Sequence, residues 1–156
     1  MPVHAAEVRS PDGRIAFAVE LDTEGRVLYA VTFGDEQVIG PSRLGLRFKD
    51  HAPIEASLEL VGQEKSSSDS VWEQPWGERR LVRDHYNELL LEFESFDGPE
   101  QRSALRVRVH NDGLGFRYEV PEQKNYKTVD IVDELTEFRV PEDAVAYWIP
   151  GRGWNR

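Results

Sequence analysis

The sequence predicts an all-β domain, on three observations. Apolar and polar side chains alternate over short runs, turn-forming clusters interrupt those runs roughly every 8 to 12 residues, and no helical period stands unopposed. Together these describe about a dozen short strands arranged as a sandwich or barrel, without a certain helix. No repeat of fixed period is present, which disfavours a propeller or solenoid.

Ser10-Pro11-Asp12-Gly13 opens the pattern as a turn, because proline presets φ and glycine accepts φ > 0. Ile15, Phe17, Val19 and Leu21 then alternate with smaller or polar residues as a half-buried strand. Asp22-Thr23-Glu24-Gly25 closes it, and Val27, Tyr29, Val31 and Phe33 line one face of a second strand, so the pair reads as a β-hairpin. Gly34-Asp35 leads to Val38-Ile39, and Gly40-Pro41-Ser42 is expected to break the chain before a strand carrying Leu44, Leu46 and Phe48.

Ala56, Leu58 and Leu60 alternate next, and the polar stretch Gln63 to Ser70 is expected to be an exposed loop. Leu105, Val107 and Val109, the turn Asn111-Asp112-Gly113, then Phe116, Tyr118 and Val120 make a second hairpin. Short runs follow at 129–132, 135–140 and 144–149, each bounded by Asp, Pro or Gly.

Composition narrows the functions available. A chain of 156 residues is one ordinary domain, able to bury roughly 70% of its unfolded surface. Its 29 acidic and 19 basic residues give a net charge of −10, which repels phosphate backbones and anionic membrane surfaces. Nucleic acid and membrane are therefore not expected as partners. With no cysteine the chain has neither disulfides nor thiol chemistry, and cytosol and periplasm suit it equally. The opening MPVHAAEVRSPDG has no basic n-region or apolar h-region, so a signal peptide is expected to be absent or already removed.

The densest stretch is Val71 to Phe93, where two tryptophans, three arginines, a histidine, a tyrosine and five carboxylates fall within 23 residues. Leu81, Val82, His85, Tyr86, Leu89, Leu90 and Phe93 also fit a helical face, but Leu89, Leu91 and Phe93 alternate as well, and a strand is preferred. Glu73, Glu78, Asp84 and Glu88 could supply a carboxylate pair, while Arg79, Arg80 and Arg83 make ion pairing the simpler account. His85 and His110 could serve acid–base chemistry, yet lone histidines in strands are more often structural. Asn111-Asp112-Gly113 lacks a second set of oxygen ligands spaced as in a calcium loop, and turn chemistry accounts for it.

Six motifs occur in a fixed order: SPDGRIAF, PSRLGL, WEQPWGERRLVRDHYNEL, HNDGLGFRYEVP, DELTEF and AYWIPG. Together, from about Val8 to Gly151, they resemble the N-terminal domain of glycoside hydrolase family 97, bacterial α-glucosidases and α-galactosidases of the starch-utilisation type. The resemblance implies a β-super-sandwich similar to the galactose-mutarotase fold. Residues 1–156 would form that domain, incomplete at its C-terminal end, and the catalytic (β/α)8 barrel would be missing from the chain. It further implies a calcium-dependent parent acting on α-linked oligosaccharides in the periplasm or outside the cell. The family's calcium-ligand glutamate from this domain would lie just past Trp154-Asn155-Arg156, so the resemblance assigns no catalytic residue and no metal ligand here.

The expected role is then a non-catalytic support for the barrel and its active-site mouth; the alternative is an autonomous carbohydrate-binding module. For the latter Trp72 and Trp76 are the candidate substrate-binding residues, since indole offers sugar rings a flat apolar face. Against it, a tryptophan beside Pro75 and Gly77 can close the end of the sandwich or pack on a neighbouring domain. Trp148 and Trp154 are expected to face the barrel.

Overall fold

The computed structural model of the chain describes residues 3–124, 127–145 and 147. Strands β1 (Val3–Arg9), β2 (Ile15–Leu21), β3 (Val27–Phe33) and β4 (Glu36–Arg43) form one antiparallel sheet in the order β1-β2-β3-β4. The short β5 (Leu46–Phe48) leaves that sheet. Strands β6 (Leu58–Glu73), β7 (Leu81–Ser95), β8 (Arg102–His110) and β9 (Leu114–Glu119) form a second antiparallel sheet, again in sequence order. β10 (Ile131–Glu134) returns to pair with β5. The described residues contain no helix.

Both expected hairpins are present. In each strand the apolar alternates turn inward: Phe17, Val19, Val27, Tyr29 and Val31 from the first sheet meet Leu89, Leu91, Phe93, Leu105, Val107 and Val109 from the second in one core. An aromatic cluster joins the layers. Phe17 stacks on Tyr29 with ring centroids 5.2 Å apart, and Phe116 of β9 tilts against both at 5.8 and 5.4 Å. Such pairs add about 0.5–1.5 kcal/mol each beyond the area they bury.

Turns lock the two sheets together at both ends. The Asp12 amide donates to Asn111 Oδ1 at 2.9 Å, joining the β1–β2 turn to the β8–β9 turn. Within the first turn, hydrogen bonds from the Ser10 hydroxyl and from Arg14 hold the Asp12 carboxyl at about 2. At the opposite end the Ser57 and Leu58 amides donate to the carbonyls of Glu24 and Gly25, at 2.8 and 3.1 Å. Gly25 has φ +68°, and a Cβ there would lie 2.5 Å from the Leu58 backbone nitrogen. No other residue fits that position without moving β6.

Two expectations are corrected. Gly40-Pro41-Ser42 does not break the chain; β4 runs through it to Arg43. It is an edge strand of its sheet, where proline's missing N–H costs no ladder bond, and register shifts beside Val31 absorb the irregularity. Gln63 to Ser70 is likewise no loop but the middle of β6, paired residue by residue with β7 from Gln63↔Leu91 to Ser70↔Asp84. Its side chains are mostly solvent-exposed, so no apolar alternate marks the strand; its backbone pairs with β7 on one side, and the other side is the edge of the sheet. The stretch at Leu81 to Ser95 is a strand, as preferred.

Of the three late runs, the first yields β10, and the second follows the first sheet as a strap. Leu135 and Glu137 amides donate to the Gly45 and Arg43 carbonyls, both at 2.9 Å, and Arg139 bridges Gly40. Tyr29 Oη donates to the Glu137 carbonyl at 2.7 Å, and Tyr118 Oη accepts from the Gly45 amide at 2.9 Å. Half of the third run, 144–149, lies outside the described residues.

The two turn glycines make a graded prediction. Gly13→Ala meets open space at φ +76° and is expected to cost about 1–2 kcal/mol from backbone strain alone. Gly25→Ala adds a backbone clash and is expected to cost clearly more, roughly 3 kcal/mol or above. Urea denaturation of the two variants checks the order, and equal costs would remove Gly25 as an inter-sheet lock.

Candidate functional site

The dense stretch forms an arm. β8 pairs with β7 only as far as Tyr86↔His110. Beyond that point β6 and β7 continue as a two-stranded ribbon to Glu73↔Leu81. The connecting turn is tied by the Gln74 amide donating to the Arg80 carbonyl at 3.0 Å and by Gln74 Nε2 donating to the Arg79 carbonyl at 2.6 Å. Gly77 at φ +121° completes it.

Strand alternation sorts the arm's residues by face. Asp69, Val71, Glu73, Leu81, Arg83 and His85 continue the side that farther along carries Leu89 into the core. Trp72, Val82, Asp84, Tyr86 and Glu88 lie on the outer side. Trp72 is 49% exposed. Trp76, in the turn, is 82% exposed. Trp76 therefore does not close the end of the sandwich, and its indole is available to a sugar or to a neighbouring domain. Trp148 and Trp154 lie outside the described residues.

The carboxylates find arginines, though not always the ones nearest in sequence. Arg80 Nε meets Glu73 at 2.6 Å, and Arg83 grips Asp69 through two bonds of 2.7 Å. Glu88 reaches across the sheet, accepting from Arg106 Nη1 and Arg108 Nε at 2.6 Å each. Arg106 also donates to Glu119, which Arg117 contacts as well. Arg108 lies over the Tyr86 ring, 4.5 Å from its centroid.

These contacts set the protonation of the ladder. Burial pushes the Glu88 carboxyl up, but hydrogen bonds from Arg108 and Arg106 outweigh it and hold the group below its usual range. Hydrogen bonding from Arg106 holds Glu119 down too, against its own desolvation. Both carboxylates stay charged at neutral pH, so neither is poised as an acid.

Asp84 and Glu88 are not assembled as a pair. Asp84 and Glu88 share a face but stand four residues apart on β7, about 13–14 Å along a strand, beyond the ~9.5 Å upper limit for a glycosidase pair. Glu73 points to the other face. His110 Nδ1 stands 3.9 Å from Asp84 Oδ1, beside the Tyr86 ring, while His85 is on the opposite face, across from Asp69. Asn111 is engaged by Asp12, in keeping with a turn role. Among the described residues no three His, Asp or Glu side chains are grouped to hold a metal ion.

Sequence alone missed the Glu88–Arg106–Arg108–Glu119 ladder. The period-2 arginines of β8 were a signal, but pairing them with Glu88 requires the register Glu88↔Arg108.

Fold and side chains together define an all-β domain of two packed antiparallel sheets, whose densest polar stretch is a projecting arm and an ion-pair ladder. The chain belongs to the N-terminal domain family of glycoside hydrolase family 97: residues 8–156 match the family described as Glycosyl-hydrolase 97 N-terminal. It is similar to a glycoside hydrolase family 97 enzyme from Pseudoalteromonas sp. strain K8, solved in complexes with panose and with acarbose, at 40% identity and a TM-score of 0.88. That match covers 97% of this chain and 23% of the enzyme. A retaining α-galactosidase of Bacteroides thetaiotaomicron is 25% identical over 88% of this chain and 19% of its own length. A β-arabinopyranosidase matches with a TM-score of 0.81 at 28% identity, covering 88% of this chain and 21% of that structure. The chain thus spans about a fifth to a quarter of the relatives it matches.

The ladder makes pH-dependent stability predictable. Because the folded-state values of Glu88 and Glu119 are depressed, their stabilisation is fully present above about pH 4.5 and is lost as pH falls through the folded values. Glu88→Gln is expected to cost roughly 2 kcal/mol at pH 7, less than a fully buried pair because Arg106 keeps Glu119. It should also flatten the loss of stability between about pH 5 and pH 3. Urea midpoints of both proteins across that range test this; an unchanged acid slope would remove Glu88 from the acid-sensitive set.

Proposed function

We propose that this chain is the non-catalytic N-terminal domain of a calcium-dependent α-glycoside hydrolase, supporting a (β/α)8 barrel and helping to wall its active-site mouth. One observation carries the proposal: almost the whole chain superposes on a family 97 enzyme of which it makes up 23%. The arm, with its exposed Trp72 and Trp76, is a natural contact for another domain. Paired carboxylates held ionised by arginines support a structural use of the ladder.

In this proposal the two described sheets are part of a β-super-sandwich similar to the galactose-mutarotase fold, and residues 1–156 are a single domain incomplete at its C-terminal end. The parent's substrate is an α-linked oligosaccharide, a class that includes the panose bound by the Pseudoalteromonas enzyme. In this proposal the calcium ligands belong to parts of the parent outside these 156 residues. The enzyme works in the periplasm or outside the cell.

A second reading is favoured by the exposure of both arm tryptophans. A domain that binds oligosaccharide by itself would use Trp72 and Trp76 as stacking surfaces, each worth about 0.5–1.5 kcal/mol if comparable to aromatic pairs.

Two measurements separate these functions. The 156-residue chain, assayed with calcium on p-nitrophenyl α-glucoside and α-galactoside, is expected to release no nitrophenol; turnover by the chain alone would refute the non-catalytic assignment. Titration with panose and maltooligosaccharides, followed by tryptophan fluorescence, is expected to give no saturable change. Saturation that disappears in Trp76→Ala would favour the binding module.

A further inference from the structure

The sandwich is open along one flank. β4 and β9 are each the last strand of their sheet, and both border this side. Between them Phe33, Val38, Ile39, Leu114, Phe116 and Phe138 line a groove of about 380 Å³. No charged side chain is among its described lining residues, in a chain whose residues are 31% charged. Phe33 and Val38 are each 44% exposed and Phe138 is 65% exposed. Val140 and Val145, next along the strap, are exposed as well.

The core's aromatic cluster runs out to this surface. Tyr29 and Phe116 belong to the stack, and Phe138 meets Tyr29 edge-on at 6.3 Å. Arg14 lies over the Phe33 ring at 5.4 Å and caps one corner. A contiguous apolar face of this kind on a soluble domain marks a contact surface. On the arm, Val71 and Leu81 are interleaved with the Asp69–Arg83 and Glu73–Arg80 pairs on one face, and Trp72 and Val82 are followed by Asp84 on the other.

We infer that this flank is the face on which the remaining chain of the parent family 97 enzyme packs, through a complementary apolar surface. The inference rests on the proposed role as a supporting domain and names the surface that role would use. The occupant follows from two facts. The matching segment is 23% of the Pseudoalteromonas enzyme, at a TM-score of 0.88, so under the proposed function this domain has a large covalent neighbour. A second copy is the poorer occupant, because it would set a net charge of −10 against another −10.

The experiment uses the full-length parent enzyme and, in parallel, the 156-residue chain. Phe33→Arg and Val38→Glu are made separately in both, so that one variant remains informative if the other fails to fold. In the parent, each is expected to speed proteolytic release of this domain by roughly tenfold or more, because an unpaired charge is forced into an apolar contact. In the chain alone, each is expected to leave the melting temperature nearly unchanged, and sedimentation is expected to give a monomer. Unchanged release from the parent would overturn the inference. So would a dimer of the chain that both substitutions dissolve, since a second copy would then own the flank.

Hydrolytic activity of the parent separates this inference from the role beneath it. If the flank variants speed release while turnover is unaltered, the surface stands and the supporting role fails. If deleting the domain abolishes turnover but the flank variants change nothing, the role stands and the surface fails.

Discussion

Packing of Phe17, Tyr29 and the partly buried Phe116 between two sheets is the interaction on which the rest of this domain depends. β2 and β3 form one hairpin and β9 belongs to another, and the rings they contribute make the two four-stranded sheets into one body. The ties at the rim follow from that approach. Asp12 can reach Asn111, and Gly25 can receive the start of β6, only because the layers are already held at packing distance. Tyr29 extends the same logic outward, since its hydroxyl anchors the strap at Glu137.

Charge is organised around this frame rather than through it. Over the core, the inner faces of β7 and β8 carry Leu89, Leu91, Leu105, Val107 and Val109, and their outer faces carry Glu88, Arg106 and Arg108 as a cross-strand ladder. Cross-strand opposite charges stabilise a sheet modestly, and here they also keep the carboxylates ionised. The acids, arginines and aromatics concentrated in one stretch are thereby divided between two faces. On a β-ribbon, alternation sends neighbours to opposite faces, and cross-strand arginines take up the carboxylates that remain together.

Much of the fold was legible in the sequence because it is local. The turns at 10–13, 22–25 and 111–113, and the apolar alternates of β2, β3, β8 and β9, each report a strand with one buried face. The middle of β6 was not legible, because period 2 is visible only where one face is apolar and Gln63 to Ser70 has none. The passage of β4 through Pro41 was hidden for a related reason: whether proline ends a strand depends on whether that strand lies at an edge. Of the candidate site, the residues were visible and their grouping was not. Nothing in the order of Asp84, His85 and Glu88 says that Glu88 turns to Arg106 and Arg108 while His85 faces the other way.

The sequence by itself determined the all-β class, the two main hairpins and the family, because turn chemistry, alternation and ordered motifs are written in short windows. Tertiary structure alone decided which carboxylates are neutralised, that the arm's tryptophans meet solvent, and that one flank of the core stays open. Those outcomes depend on register and on which strands lie at the edges, which are set by contacts between residues far apart along the chain.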